Sequence, residues 1–247
     1  MRRLTRQLSH TVAVGAASAS AAVPRVLCLH GGGTNAAIMR AQTTKLRVQL
    51  RGQFDFEFLE GAWPFEKVDP AVRRRFDPPY LGWYDVEHDD ANPDRPYVET
   101  LLDERVRFTY PGVEEAMARV EEHIESTGPY STLLGFSQGA ILITLLTALR
   151  LERARAGLGA PPTWAHNVLV CGMPVRANEY LDVVERKLDF PCTIAQGRRD
   201  PAYRWCIRLA DAYAPSTRRV IEYADGHRFP HSREDTAAIA DCMRLKR

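Results

Sequence analysis

Paired cysteines, long apolar runs and an excess of charge are all missing from this chain of 247 residues. Its five cysteines, Cys28, Cys171, Cys192, Cys206 and Cys242, include no C-x-x-C pair. The odd count and this spacing give no support to a zinc site or a disulfide framework. Cys28 and Cys171 fall inside apolar runs, so buried free thiols in a reducing compartment are expected. No apolar run reaches the roughly eighteen residues that cross a bilayer. The longest, 140–149, is interrupted by Thr144 and Thr147 and suits a buried helix. A formal charge of +2 points to no nucleic-acid partner. The glycines after the first apolar run lack G-x-G-x-x-G spacing, because position 36 is Ala, which disfavours a dinucleotide site.

Acidic residues are absent before Asp55. Residues 1–22 carry Arg2, Arg3 and Arg6 within a Ser/Ala-rich stretch. Such a start resembles an organellar transit peptide, with a plain disordered tail as the other reading. The weakly apolar 11–22 argues against secretion, so a cytoplasmic or organellar location is expected. Residues 24–247 then form the domain, a length that suits one large α/β unit.

What is present alternates. Apolar runs at 25–29, 54–58, 132–136, 167–171, 192–195 and 219–223 read as strands. Between or after them, 36–51, 112–126, 141–155, 178–188, 201–213 and 232–244 read as helices. This alternation implies a doubly wound, mostly parallel sheet with helices on both faces. Its reactive groups should follow the carboxyl ends of strands. The pattern breaks at 63–111, dense in Pro and aromatics, which is expected to be a lid or pocket wall. Within it, Arg73-Arg74-Arg75 reads as a solvated patch, or as a grip for a phosphate-bearing acyl carrier.

Gly135-x-Ser137-x-Gly139 joins an apolar strand to an apolar helix and reads as a nucleophile elbow. A serine hydroxyl needs a base, and the base needs a group that fixes its tautomer. On this fold they follow in the order Ser, Asp/Glu, His. Asp200 follows the strand at 192–195 and His227 follows the strand at 219–223. Rivals are weaker. His166 precedes a strand, His123 lies on a polar helix, and His231 opens the last helix. Asp225 is too near His227 in sequence, and Asp211 falls mid-helix. Asp200 also stands where it can cap the helix after it. For the developing oxyanion, the N–H of Gln138 and an N–H in His30-Gly31-Gly32-Gly33, best Gly32, are the expected donors. Gly31, Gly33, Trp63 and Phe136 are expected to line the substrate site.

Val26-Leu-Cys-Leu-His-Gly31, Gly135-Phe-Ser-Gln-Gly-Ala140, Gly197-x-x-Asp200-Pro201 and Gly226-His227-x-x-Pro230 together resemble the α/β-hydrolase superfamily. More narrowly they resemble its "family of serine hydrolases" branch, which includes the ovarian-cancer-associated gene 2 protein and fungal polyketide-releasing thioesterases. The resemblance implies an α/β-hydrolase fold and cofactor-free, metal-free hydrolysis of a carboxylic ester or thioester. It places the triad on Ser137, Asp200 and His227. Two features depart from it: the segment before Pro24, and a glycine run at 31–33 where a bulky residue is common. The expected partner is a small acyl ester or thioester, free or on a carrier. A hydrolase-fold sensor without turnover, or an acyltransferase on the same triad, are the alternatives.

Overall fold

The computed structural model describes residues 22–66 and 68–245; most of the Arg-bearing leader, 1–21, lies outside them. Six strands form one sheet: β1 (Arg25–Leu29), β2 (Asp55–Leu59), β3 (Thr132–Phe136), β4 (His166–Val170), β5 (Cys192–Gly197) and β6 (Arg218–Tyr223). Their order is β6-β5-β4-β3-β1-β2, and every pair is parallel. Strands buried on both faces should be apolar throughout. In β1, Val26 to Leu29 are all fully buried, and β3 and β4 are buried along their whole length. Period-two alternation divides the core into two layers. Leu27, Leu29, Leu133 and Ile194 face one layer; Val26, Cys28, Leu134, Phe136 and Ala195 face the other.

Three long helices cover the sheet. The first, Val113–Thr127, buries Val113, Met117, Val120 and Ile124 on one face. The second, Gln138–Arg155, is buried continuously from Gln138 to Ala148, so its apolar residues run all round. The third, Arg233–Arg244, starts at Ser232, whose hydroxyl accepts the Asp235 N–H, and holds Glu234 and Asp235 in its first turn.

Three expected helices are broken. Over 36–51 there are two, Ala36–Gln42 and Thr44–Gln49. Thr43 and Thr44 direct their hydroxyls back to Met39 and Ala41 carbonyls, which bends the chain between them. Over 201–213 one α-turn, Tyr203–Cys206, gives way to the 3₁₀ segment Ile207–Ala212. There the buried Gln196 amide donates to the Cys206 carbonyl, which an α-helix would otherwise use. Over 178–188, a 3₁₀ turn at Asn178–Tyr180 and the short helix Leu181–Val184 end before Leu188. The Asn178 side chain is drawn away to accept the Phe108 N–H.

The segment 63–111 holds the antiparallel pairs Trp63–Pro64 with Leu81–Gly82 and Glu87–His88 with Phe108–Thr109, and short helices Pro70–Arg73 and Tyr97–Leu102. Trp83, Tyr84, Phe108 and Tyr110 within it are buried in the main core. It is therefore a wall built into the domain rather than a separate lid. Arg73 donates to the Glu66 carbonyl and lies over the Tyr80 ring, so it is held within this wall.

At the end of β3 the chain must pass close to β1. A Cβ on Gly139 would lie 2.3 Å from the Leu29 carbonyl oxygen, and backbone cannot yield as a flexible side chain can. Gly139→Ala is expected to cost about 1–3 kcal/mol, lowering the thermal midpoint by several degrees. Gly159→Ala, whose Cβ would meet only the Arg153 Cβ at 3.6 Å, is expected to leave that midpoint nearly unchanged. Thermal unfolding of both variants checks this.

Candidate active site

Ser137 sits between β3 and the helix Gln138–Arg155 with φ +50° and ψ −116°, a conformation rarely adopted by a residue with a Cβ. Hydrogen bonds on both sides hold it there. Its N–H donates to the Val170 carbonyl of β4 at 2.9 Å, and its carbonyl accepts the Ala140 N–H at 3.0 Å. This turn lifts the hydroxyl out of the sheet toward the loops that follow β5 and β6.

Those loops bring two partners. His227 Nε2 lies 2.9 Å from Ser137 Oγ, and His227 Nδ1 lies 2.6 Å from Asp200 Oδ2. An ionised carboxylate only accepts, so Nδ1 carries a proton toward Asp200 and Nε2 is left to accept from the serine. The Asp200 side chain is 2% exposed and that of His227 36%, so the carboxylate is sealed while the imidazole opens to the hydroxyl. Burial raises the Asp200 carboxyl. The hydrogen bond and charge of His227 and the Ala202 N–H outweigh it and hold the group below the ordinary aspartate value. Asp200 Oδ1 accepts that Ala202 N–H at 2.8 Å, so one side chain both orients the imidazole and shapes the turn after it.

The rival side chains lie elsewhere. His231 pairs with Asp225 at 3.3 Å. His166 is buried, with Nε2 3.0 Å from the Thr193 hydroxyl. His123, on the polar helix, is partly buried against Glu57 at 2.7 Å. Asp211 is exposed beside Arg218. Among the described residues one trio of metal-type ligands comes together, Cys171, Asp200 and His227, within 4.8 Å of one another. Asp200 and His227 in it already bond each other, and Cys171 bonds Tyr223 at 3.0 Å. All five cysteines are free, four of them buried.

Ser137 opens into a cavity of about 440 Å³ that Gly32 and Gln138 also line. Gln138 is the first residue of its helix, where N–H groups have no partner within the helix. The wall segment contributes Phe65, Tyr84, Val86, Tyr97, Leu101 and Tyr110. Ile141, Met173, Pro174 and Trp205 form the other side, and exposed Asp85 and His88 stand at the rim. Hydrogen bonds dock the wall beside the serine. Thr34 and Leu81 exchange backbone hydrogen bonds, and the Asn35 amide donates to the Pro79 carbonyl. The Trp83 indole donates to the His30 carbonyl at 2.7 Å. The Gln138 side chain accepts from the Trp83 N–H and donates to the Tyr84 carbonyl.

The four residues expected to line the substrate site, Gly31, Gly33, Trp63 and Phe136, all lie off the cavity wall. Trp63 packs on Gly112 and borders a neighbouring depression, which shares Phe65 and Asp85 with the cavity. Phe136 is buried on the far layer, its ring 5.2 Å from that of His227 and 5.3 Å from Phe229, so it backs the imidazole. Gly31 packs against Phe136, and Gly33, at φ +70°, lies under Phe65. Phe65, Met173 and Trp205 carry no motif, and only the aromatic density of 63–111 hinted at any of them. His30 is buried and neutral: burial lowers its pKa, Nδ1–H donates to Gly31 O, and Nε2 accepts the Gly61 N–H.

A parallel sheet with a serine on the strained turn after β3, and His and Asp on the loops of later strands, defines an α/β hydrolase. Residues 19–239 match the family model described as "Serine hydrolase (FSH1)", and the chain belongs to that family. It is 32% identical over 227 residues to the esterase FUS5 of Gibberella fujikuroi, covering 90% of this chain and 86% of that protein. It is 30% identical over 244 residues to the esterase citA of Monascus ruber, covering 88% and 90%. The crystal structure of esterase PE8 shares the fold, with a TM-score of 0.55 over 92% of this chain and 94% of that one at 19% identity. No described helix is long and apolar enough to cross a membrane.

The lowered Asp200 carboxyl has a consequence for stability. A group whose pKa falls on folding stabilises the native state above its unfolded value, and that stability is lost as pH falls through its folded value. Wild type is expected to exceed Asp200→Asn in urea midpoint at neutral pH. The difference should shrink as pH drops from about 5 toward 2. Urea titrations of both proteins across that range check the sign.

Proposed function

We propose that this protein is a serine esterase that works through an acyl-enzyme, with Ser137 as nucleophile, His227 as base and Asp200 as the group that orients it. One observation carries the reading. The hydroxyl, imidazole and carboxylate form an unbroken hydrogen-bonded relay, 2.9 Å and 2.6 Å long, and its hydroxyl end opens into an apolar cavity. Substrate seats its acyl half against the aromatic wall with the carbonyl carbon over Ser137 Oγ. Nε2 of His227 takes the hydroxyl proton as oxygen attacks, and the imidazolium is stabilised by Asp200. N–H groups of Gln138 and Gly32 donate to the oxyanion. His227 then protonates the leaving group. Next it draws a proton from water, which attacks the acyl-enzyme and frees the acid. Every step uses groups of the protein and water.

The cavity lies within the range typical of small-molecule sites. Its walls suit an apolar acyl chain or ring, borne on an ester or a thioester, free or attached to a carrier. Each methylene buried there is worth about 0.8 kcal/mol, so kcat/KM should rise about three- to four-fold per added carbon until the cavity is full.

Hydrolysis of p-nitrophenyl esters and acyl thioesters of graded length, by wild type and Ser137→Ala, tests the reading. Ser137→Ala is expected to lose about a million-fold in turnover and Asp200→Asn about ten-thousand-fold. A fluorophosphonate should label wild type at Ser137 alone. A Ser137→Ala enzyme keeping about a tenth of wild-type turnover would refute the nucleophile assignment. Ligand-induced stabilisation with no release of acid would make the protein a sensor, and acyl transfer in place of free acid would make it a transferase.

A further inference from the structure

His227 stands on a loop, 224–232, that contains no strand or helix. A loop side chain keeps a reactive geometry only if the backbone on both sides of it is anchored. Before His227 the anchors are main-chain groups. Arg198 N–H donates to Tyr223 O at 2.8 Å, and Arg199 N–H donates to Asp225 O at 3.0 Å. Gly197 permits this approach, since a Cβ there would lie 2.3 Å from the Gly226 carbonyl oxygen.

After His227 the anchor is a side chain. Tyr223, the last residue of β6, is 2% exposed, and its hydroxyl donates to the Arg228 carbonyl at 2.6 Å. Arg228 follows His227 directly. The phenol has one proton, and that bond uses it. The second contact of the same hydroxyl, Cys171 Sγ at 3.0 Å, is then a thiol donating to the phenolic oxygen. Cys171 is fully buried and lies one residue past β4 at φ +48°, a conformation strained for a side-chain-bearing residue. Its sulfur is also 3.6 Å from the Arg228 carbonyl oxygen. Burial pushes the Cys171 thiol up to about 12 and drives the Tyr223 hydroxyl higher still, so both stay protonated and able to donate.

We propose that Tyr223 and Cys171 are positioning residues, a buried thiol–phenol–carbonyl chain that clamps the Arg228 peptide and so holds the His227 imidazole between Ser137 and Asp200. The inference rests on His227 acting as the base. Neither side chain lines the substrate cavity, so the clamp acts on turnover and not on substrate binding.

Tyr223→Phe keeps the ring and removes the hydroxyl. It is expected to lower kcat about ten- to a hundred-fold while KM stays within about two-fold. The low-field proton resonance of His227 Nδ1–H should broaden or shift. Cys171→Ala is expected to lower kcat several-fold, and Cys171→Ser, which restores an O–H donor, to recover most of it. A folded Tyr223→Phe with wild-type kcat and an unmoved resonance would overturn the clamp. Equal kcat for Cys171→Ala and Cys171→Ser would remove the thiol from it. Should Tyr223→Phe fail to fold, the Cys171 pair decides alone. Retained activity in Ser137→Ala strikes the functional reading itself, whereas an inactive Ser137→Ala beside a wild-type-like Tyr223→Phe strikes only the clamp.

Discussion

The architecture depends on how closely two backbones approach where β3 leaves the sheet. The helix after Ser137 starts against the carbonyls that end β1, with Gly139 at the crossing and Gly135 facing the Ala140 amide. That approach places Ser137 at φ +50°, a conformation that costs on the order of 1–3 kcal/mol. Its hydrogen bonds to Val170, Ala140 and Ile141 offset part of the cost, and two core layers leave it no room to relax. Because β1 and β4 flank β3, the same crossing brings the Gly31–Gly33 loop beside the serine.

Charge is arranged by depth. Asp200 is sealed below, and a carboxylate there interacts more strongly than one in water. It is met by one imidazole, one backbone N–H and, at 3.9 Å, the Cys206 thiol. No cation competes with His227 in that set. Beside the serine, the buried imidazole of His30 is kept uncharged and serves as a brace between the glycine loop and Gly61. The neutral brace leaves the glycine loop free of a second charge beside the serine.

The wall of the cavity comes from the least regular part of the chain. Residues 63–111 make few long elements, yet Trp83, Tyr84, Phe108 and Tyr110 are as buried as the strands. Tyr84 stacks on Tyr110 at 4.7 Å, and the Tyr110 hydroxyl accepts the Arg176 N–H, tying the wall to the far side of the cavity. Gln138 couples this wall to the turn, since its backbone begins the helix beside Ser137 and its side chain holds Trp83 and Tyr84. The packing of the wall and the turn that carries Ser137 thus share one residue.

Alternation of apolar runs, and the glycines around Ser137, made the parallel sheet and its turn legible in the sequence. Both are local consequences of period and of where a Cβ is forbidden. The loops that carry Asp200 and His227 were legible too, because on such a sheet a residue just past a strand can only lie at its carboxyl edge. Helix lengths were not: Gln196, Thr43 and Asn178 break or shorten helices through partners that periodicity does not encode. Nor was the lining of the cavity, since Trp63 and Phe136 have the same chemistry as Phe65 and Trp205 and differ only in which way the folded chain points them. The order of the chain thus determined the sheet, the turn and the loops that bear the polar groups. Tertiary packing alone decided which aromatics face the serine and what steadies His227, because those depend on distances between segments that share no local pattern.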